Sequence, residues 1–198
     1  MSSQSSASRA YLLLYNTTNT LLWLRILLTV ITSSPSSIYT TLEPWTRWTQ
    51  TLAVVEILHA ATGITRAPIF TTFTQIFARS VQVWAINYGF PGVTATSSAY
   101  LAMLSAWSIA DVVRYFYFVV MLAGGSVPGV LKWLRYSLFI VLYPIGIGSE
   151  WWLMYRAARV TSSPAVARVL YFCLALYGPG SVMMYSYMVK QRRKTLSA

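Results

Sequence analysis

Six apolar windows of about 20 residues each dominate the chain, near Ala10–Ile31, Thr49–Thr65, Ile69–Tyr88, Tyr100–Leu122, Leu131–Leu153 and Ala167–Val189. Each is long enough to cross a bilayer as a helix, which rises about 1.5 Å per residue against a hydrocarbon core about 30 Å thick. Membrane-crossing strands would read as shorter segments of alternating polarity, and these windows do not alternate. The expected fold is therefore all-α, a polytopic membrane protein built as a six-transmembrane-helix bundle, with residues 1–198 forming a single membrane domain. Only 10% of the residues are charged and 56% are hydrophobic, far from the balance of a soluble domain.

Turns between windows are marked by "SSPSS" at 33–37, "GFPG" at 89–92, "GGSVPG" at 124–129 and "TSSP" at 161–164. The serine-rich residues 1–9 and the tail after Lys190 read as frayed or disordered. The first window is too long, and lacks a small-residue cleavage site before Thr32–Ser37, so it is expected to remain as a span rather than leave as a signal peptide. No internal repeat suggests a transporter built from two related halves. The net charge of +11 is scattered through spans and short loops, so a lipid bilayer and no nucleic acid is the expected partner. An even span count puts both termini on one side with Arg9, Arg66, Lys132, Arg135, Lys190, Arg192, Arg193 and Lys194. The other side holds Arg47, Arg156, Arg159 and Arg168, and this bias of eight to four favours cytosolic termini. The single cysteine, Cys173, excludes an internal disulfide and a cysteine metal cluster.

Of the four acidic residues, only Glu43 reads as a loop residue. Glu56, Asp111 and Glu150 fall in or at the ends of windows, where an acid costs about 2.5–3.5 kcal/mol at mid-bilayer on insertion scales. Arg25, Arg79, Arg114 and Arg135 also fall in windows, so acids and arginines can neutralise one another between helices. Glu56 with His59, Gln75 with Arg79 and Asp111 with Arg114 share helix faces. These pairs read either as polar glue between helices or as parts of a site. Glu150 has no such partner on its own helix. Glu56-x-x-His59 is half of a di-iron carboxylate motif, but the other half needs a second histidine and the chain has one, so no metal is expected. No phosphate-binding glycine loop joins a strand to a helix, and no cofactor is expected.

The stretch "LRYSLFIVLYPIGIGSE" at 134–150 concentrates these oddities. Pro144 removes a backbone donor, and Gly146 and Gly148 follow, so a kink or local opening is expected after Tyr143. Irregular backbone at membrane depth survives only where it is buried in protein or lines a wet cavity. Tyr143 and Glu150, seven residues apart, lie about 10 Å apart along an ideal helix, so a small reacting group between them could touch both. A phenol and a carboxylate on one substrate form an acid/base pair without metal or cofactor. An interfacial tyrosine and a glutamate at a helix end remain the alternative.

Four blocks resemble the membrane-embedded very-long-chain 3-hydroxyacyl-CoA dehydratases of fatty acid elongation. They are "YLLLYN" at 11–16, "VEILHAATGITRAPIFTTFTQIFARSVQVWAI" at 55–86, "WSIADVVRYFYF" at 107–118 and "LKWLRYSLFIVLYPIGIGSE" at 131–150. The resemblance implies a six-span endoplasmic-reticulum enzyme that dehydrates a 3-hydroxyacyl-CoA to the trans-2-enoyl-CoA, alongside the other elongase-complex enzymes. It places the catalytic pair on Tyr143 and Glu150, with Arg114, Tyr115, Arg135 and Tyr136 in support beside Asp111, Glu56, His59, Gln75 and Arg79. Ordinary acidities, about 4.3 for glutamate and about 10 for tyrosine, make Glu150 the natural base and Tyr143 the acid, with the reverse assignment as the alternative.

The family's likeness to tyrosine phosphatases rests on a segment that here reads "HAATGITR", His59 to Arg66, with Ala60 where the nucleophilic cysteine would stand. Phosphatase chemistry is thereby rejected. The family pattern "WSxxExxRY" has a glutamate where this chain has Asp111. If that acid orients Arg114, a small shift absorbs the change; if it meets substrate, activity or chain-length preference changes. A long acyl chain calls for an apolar tunnel open to the cytosolic leaflet, and Lys132, Arg66 and Lys190–Lys194 are candidates to meet the CoA phosphates, with anionic lipid as their other reading. The competing functions are a catalytically silent scaffold of the same fold and a small transporter. Reticulum retention rests on the resemblance, because the ending "KTLSA" lacks a strict dilysine signal.

Overall fold

The computed structural model describes residues 6–197, and among them every regular element is helical. In chain order these are α1 (Ser6–Thr32), α2 (Ile38–Leu52), α3 (Val55–Ala61), α4 (Ile69–Val81), a π-helical turn (Gln82–Tyr88), α5 (Pro91–Thr94), α6 (Ser98–Leu122), α7 (Gly129–Ser137), α8 (Phe139–Val160) and α9 (Pro164–Leu196). Three stretches, Ser98–Leu122, Gly129–Val160 and Pro164–Leu196, are long and apolar enough to cross a membrane. The first window lies within α1, the second is divided between α2 and α3, and the third between α4 and the π turn. The four serine, glycine and proline turns fall between or at the ends of helices. Ser97 and Ser163 cap α6 and α9 by accepting the N–H groups of Ala99 and Val166.

The centre of the assembly is α6, which packs most extensively on α1 and then on α8, while α8 packs in turn on α9. Trp23 and Ile26 of α1, Met103, Leu104 and Trp107 of α6, and Leu153, Met154 and Ala157 of α8 form the buried core. In the π turn the wider winding brings residues five apart onto one face. Gln82 Nε2 accordingly donates to Asn87 Oδ1 at 3.1 Å, and Asn87's carbonyl accepts from Tyr39 at 2.9 Å.

Three expectations are corrected. Glu43 is not in a loop: it sits in α2, buried, and Arg47 one turn on donates to it at 2.7 Å. Hydropathy misses α2 because its buried stripe, Leu42, Glu43, Thr46, Thr49 and Gln50, is largely polar while Trp45 and Trp48 face outward. The tail after Lys190 continues α9 to Leu196, and Arg192 Nε donates to Ser137 Oγ at 3.1 Å. Its basic residues also complement the negative end of the helix dipole. At the other terminus residues 6–9 are helical, and Arg9 Nε donates to the Leu122 carbonyl at 2.6 Å; residues 1–5 lie outside the described residues. Finally, α8 runs unbroken through Pro144, Gly146 and Gly148, and the discontinuity falls at Leu138, between α7 and α8. Pro144 lies in the second turn of α8, where its missing donor costs only the bond to the Ile140 carbonyl and the helix winds on.

Candidate active site

The charged residues of α3, α4 and α6 meet mostly across helices, with one pair, Asp111–Arg114, along α6. Arg114 sends Nη1 and Nη2 to the two carboxylate oxygens of Glu56 at 2.8 and 3.0 Å, a bidentate pair. Its Nε donates to Asp111 Oδ1 at 3.2 Å, and the other oxygen of Asp111 accepts from Arg79 Nη2 at 2.6 Å. Tyr15 and Tyr115 also donate to Glu56 Oε1. His59 does not pair with Glu56: its Nε2 shares a hydrogen bond with Tyr11 at 2.8 Å, and its ring meets Tyr11 and Tyr15 edge-on. Asp111 thus bridges two arginines, one from α4 and one from its own helix. Gln75 is exposed and stands outside this chain of contacts. Arg135 and Tyr136 also stand outside it: the Arg135 guanidinium lies 5.5 Å from the Tyr136 ring centroid and 6.0 Å from Phe118's, and Tyr136 packs edge-on against Tyr117.

Trp107 joins this chain to the second half of the site. The Arg79 guanidinium lies 4.0 Å from the centroid of the Trp107 ring, a cation–π distance, and the indole Nε1–H donates to Glu150 Oε1 at 2.9 Å. Gly146, one turn before Glu150, lies beside the indole: a Cβ there would rest in ordinary contact, 3.6 Å from the Trp107 ring. The other carboxylate oxygen of Glu150 accepts from the Tyr177 hydroxyl of α9 at 3.1 Å. Glu150 is only 4% exposed, and both its donors are neutral.

Tyr143 makes no hydrogen bond to Glu150. Its hydroxyl donates to the Ser181 carbonyl of α9 at 3.5 Å, and its ring packs on Tyr185 with centroids 6.1 Å apart. The space between the two tyrosines is an open trough rather than an enclosed tunnel. It consists of two adjoining hollows of about 300 Å³ each between α8 and α9, which share Ile147 and Ser181. One is walled by Tyr143, Pro144, Tyr185 and Ser186, the other by Gly148, Trp151, Leu174, Tyr177 and Gly178. Tyr177 therefore faces the trough and touches Glu150, which stands one side chain behind it.

Sequence reasoning missed Trp107 and Tyr177 as partners of Glu150, and Tyr11, Tyr15 and Ser181 as partners of His59, Glu56 and Tyr143. The signal for Tyr177 was its setting: "YGPGS" at 177–181 repeats on α9 the tyrosine, proline, glycine and serine composition of "YPIGIGS" on α8. In the "HAATGITR" segment, Ala60 is buried and Gly63 takes a φ of 74° that closes the turn after α3. No thiol is present there to act as a nucleophile.

Comparison with known proteins places this architecture. The chain is 36% identical to a "Probable very-long-chain (3R)-3-hydroxyacyl-CoA dehydratase" of Schizosaccharomyces pombe, over 93% of this chain and 91% of the relative. It is 36% identical to the very-long-chain (3R)-3-hydroxyacyl-CoA dehydratase PASTICCINO 2 of Arabidopsis thaliana, over 98% and 96% of the two chains. It is 31% identical to very-long-chain (3R)-3-hydroxyacyl-CoA dehydratase 2 of Homo sapiens, over 95% and 81%. No solved structure matches. The model of the protein tyrosine phosphatase-like protein family, PTPLA, matches residues 50–198, and the chain belongs to that family, whose relatives named above are 3-hydroxyacyl-CoA dehydratases.

Proposed function

We propose that this protein is a hydro-lyase of fatty acid elongation that converts a long-chain or very-long-chain 3-hydroxyacyl-CoA to the trans-2-enoyl-CoA, the third step of the cycle, with Tyr143 and Glu150 as its acid/base pair. The observation that carries the mechanism is a buried carboxylate held only by neutral donors, beside a trough that the Tyr143 phenol of the same helix lines two turns earlier. Ionised Glu150 takes the proton from C2, which the thioester carbonyl acidifies. The C–H electrons form the C2–C3 double bond as the C3–O bond breaks, and Tyr143 donates its proton to the departing oxygen, so that water leaves. The proton held by Glu150 then returns to the tyrosinate, and both residues regain their starting forms. To reach C2, Glu150 must displace the Tyr177 hydroxyl from its oxygen.

The helices are arranged in the bilayer as a six-span bundle with both termini cytosolic, in the endoplasmic reticulum alongside the other elongation enzymes. In this arrangement α2 with α3 and α4 with the π turn supply the second and third spans. The polar inward faces of α1 and α2, buried against their neighbours, explain why these spans read as less apolar. Lys132 and the Lys190–Lys194 tail, with Arg66, provide the basic cytosolic face for the CoA phosphates. The test is turnover of a long-chain 3-hydroxyacyl-CoA by the purified protein in detergent, with Tyr143→Phe and Glu150→Gln as variants. Folded variants that retain wild-type rates would return both residues to packing roles.

A further inference from the structure

The two halves of the trough between α8 and α9 are alike in being mostly apolar, and they differ in what lies at their ends. The Tyr143 half lies toward the start of α8 and the later part of α9, the side on which α9 ends in Lys190, Arg192, Arg193 and Lys194. The other half, lined by Ile147, Trp151, Leu174 and Ala175 beside Tyr177, lies away from that basic end and includes Gly148 and Gly178. A Cβ built on Gly148 or Gly178 meets nothing within 4 Å, so neither glycine is required for helix packing. Glycine in a helix interior lowers helix propensity, and two of them on facing helices leave open space where side chains would otherwise fill the groove. Tyr143 borders one half and Tyr177, which holds Glu150, borders the other, so the reacting carbons belong at the junction marked by Ile147 and Ser181.

We infer that the glycine-bearing half of this trough is the binding site for the acyl tail of the substrate, entered sideways from the bilayer, and that Gly148 and Gly178 set the chain lengths accepted. The inference rests on the dehydratase reading and gives the substrate a direction. The thioester lies in the Tyr143 half with CoA toward the basic tail, C2 and C3 lie at the junction, and the alkyl chain runs past Gly178 toward Trp151. A hollow of about 300 Å³ is at the small end of the range for ligand pockets, roughly 300–1,000 Å³, and cannot enclose a very long chain. Because the trough is open along its length, the surplus methylenes continue into the surrounding lipid. No closed end limits them, so discrimination falls on the first part of the tail.

The experiment uses the full chain in nanodiscs with Gly178→Leu and Gly148→Leu, changes that raise helix propensity and whose Cβ atoms meet nothing within 4 Å. The expected result is that kcat/KM for a long-chain 3-hydroxyacyl-CoA, relative to that for 3-hydroxybutyryl-CoA, falls at least tenfold in each variant, mainly through KM. An unchanged ratio would overturn the assignment. A second measurement does not depend on turnover: a long-chain acyl-CoA carrying a diazirine in its tail is photolysed on the protein and the labelled peptides are sequenced. Labelling on α8 and α9 that unlabelled acyl-CoA displaces, and that Gly178→Leu removes, supports the site. If this labelling occurs in a wild-type protein that does not dehydrate, the trough stands and the dehydratase reading falls. Labelling elsewhere, or labelling displaced only by excess phospholipid, identifies an annular lipid groove and overturns the inference.

Discussion

Glu56 and Glu150 are two carboxylates in one protein, held in opposite ways. Glu56 receives a bidentate guanidinium and two phenols, and the same Arg114 reaches on to Asp111, so its charge is neutralised within a branched network. Glu150 receives one indole and one phenol, and no cation touches it directly. Taking a proton at Glu56 would dissolve an ion pair and leave Arg114 short of a counter-charge. Taking one at Glu150 gives up only part of two neutral hydrogen bonds. The first arrangement suits a fixed joint between α3 and α6, and the second a group that must gain and lose a proton at every turnover. Trp107 keeps the two apart while coupling them, with Arg79 on its ring face and Glu150 on its edge.

The contrast is sharpest under substitution. Glu150→Gln still accepts from the Trp107 indole through its amide oxygen and can donate its NH2 to the Tyr177 hydroxyl, but it removes the base, and we expect a loss of about a thousandfold in kcat with little change in melting temperature. Unaltered turnover in that variant would erase the distinction. Arg114→Met should behave in the reverse manner, destabilising the protein by about 3 kcal/mol because Glu56 is left without its cation, which thermal unfolding in detergent would register. Tyr143→Phe removes the proposed acid and is expected to slow dehydration about a hundredfold at unchanged stability. Tyr177→Phe preserves the ring while freeing one oxygen of Glu150. A change of about tenfold, in kcat rather than KM, is expected, and an effect confined to melting temperature would make Tyr177 a packing residue. Asp111→Glu, which supplies the acid of the family pattern, should move stability by less than about 1 kcal/mol and activity less than about threefold, since Arg79 and Arg114 remain in reach.

Much of this organisation was legible from residues alone where the signal is carried by one helix. The Asp111–Arg114 pair is spaced i, i+3 and forms as read, and the turn sequences fall where helices end. What escaped depends on contacts between helices. Arg79 meets Asp111 from 32 residues away and Arg114 meets Glu56 from 58, and no local spacing encodes those partners. Glu43 was misread because burial on α2 is bought with threonine, glutamine and an ion pair rather than with aliphatic side chains. Tyr177 was overlooked because its partner lies on the preceding helix, and only the antiparallel register of α8 and α9 brings the two together. The opening expected after Tyr143 is absent, because α8 winds on through Pro144, and the interruption at Leu138 carries no local glycine or proline to mark it in the sequence.

The close packing of α1 on α6 has a consequence for biosynthesis. The first helix ends at Thr32 and its main partner begins only at Ser98, so several seconds of translation separate them at roughly 5–20 residues per second. During that interval the face of α1 that carries Asn16, Asn19 and Trp23 has no α6 to cover it. The ribosome must therefore complete α6 before the earliest helix can settle into its final place.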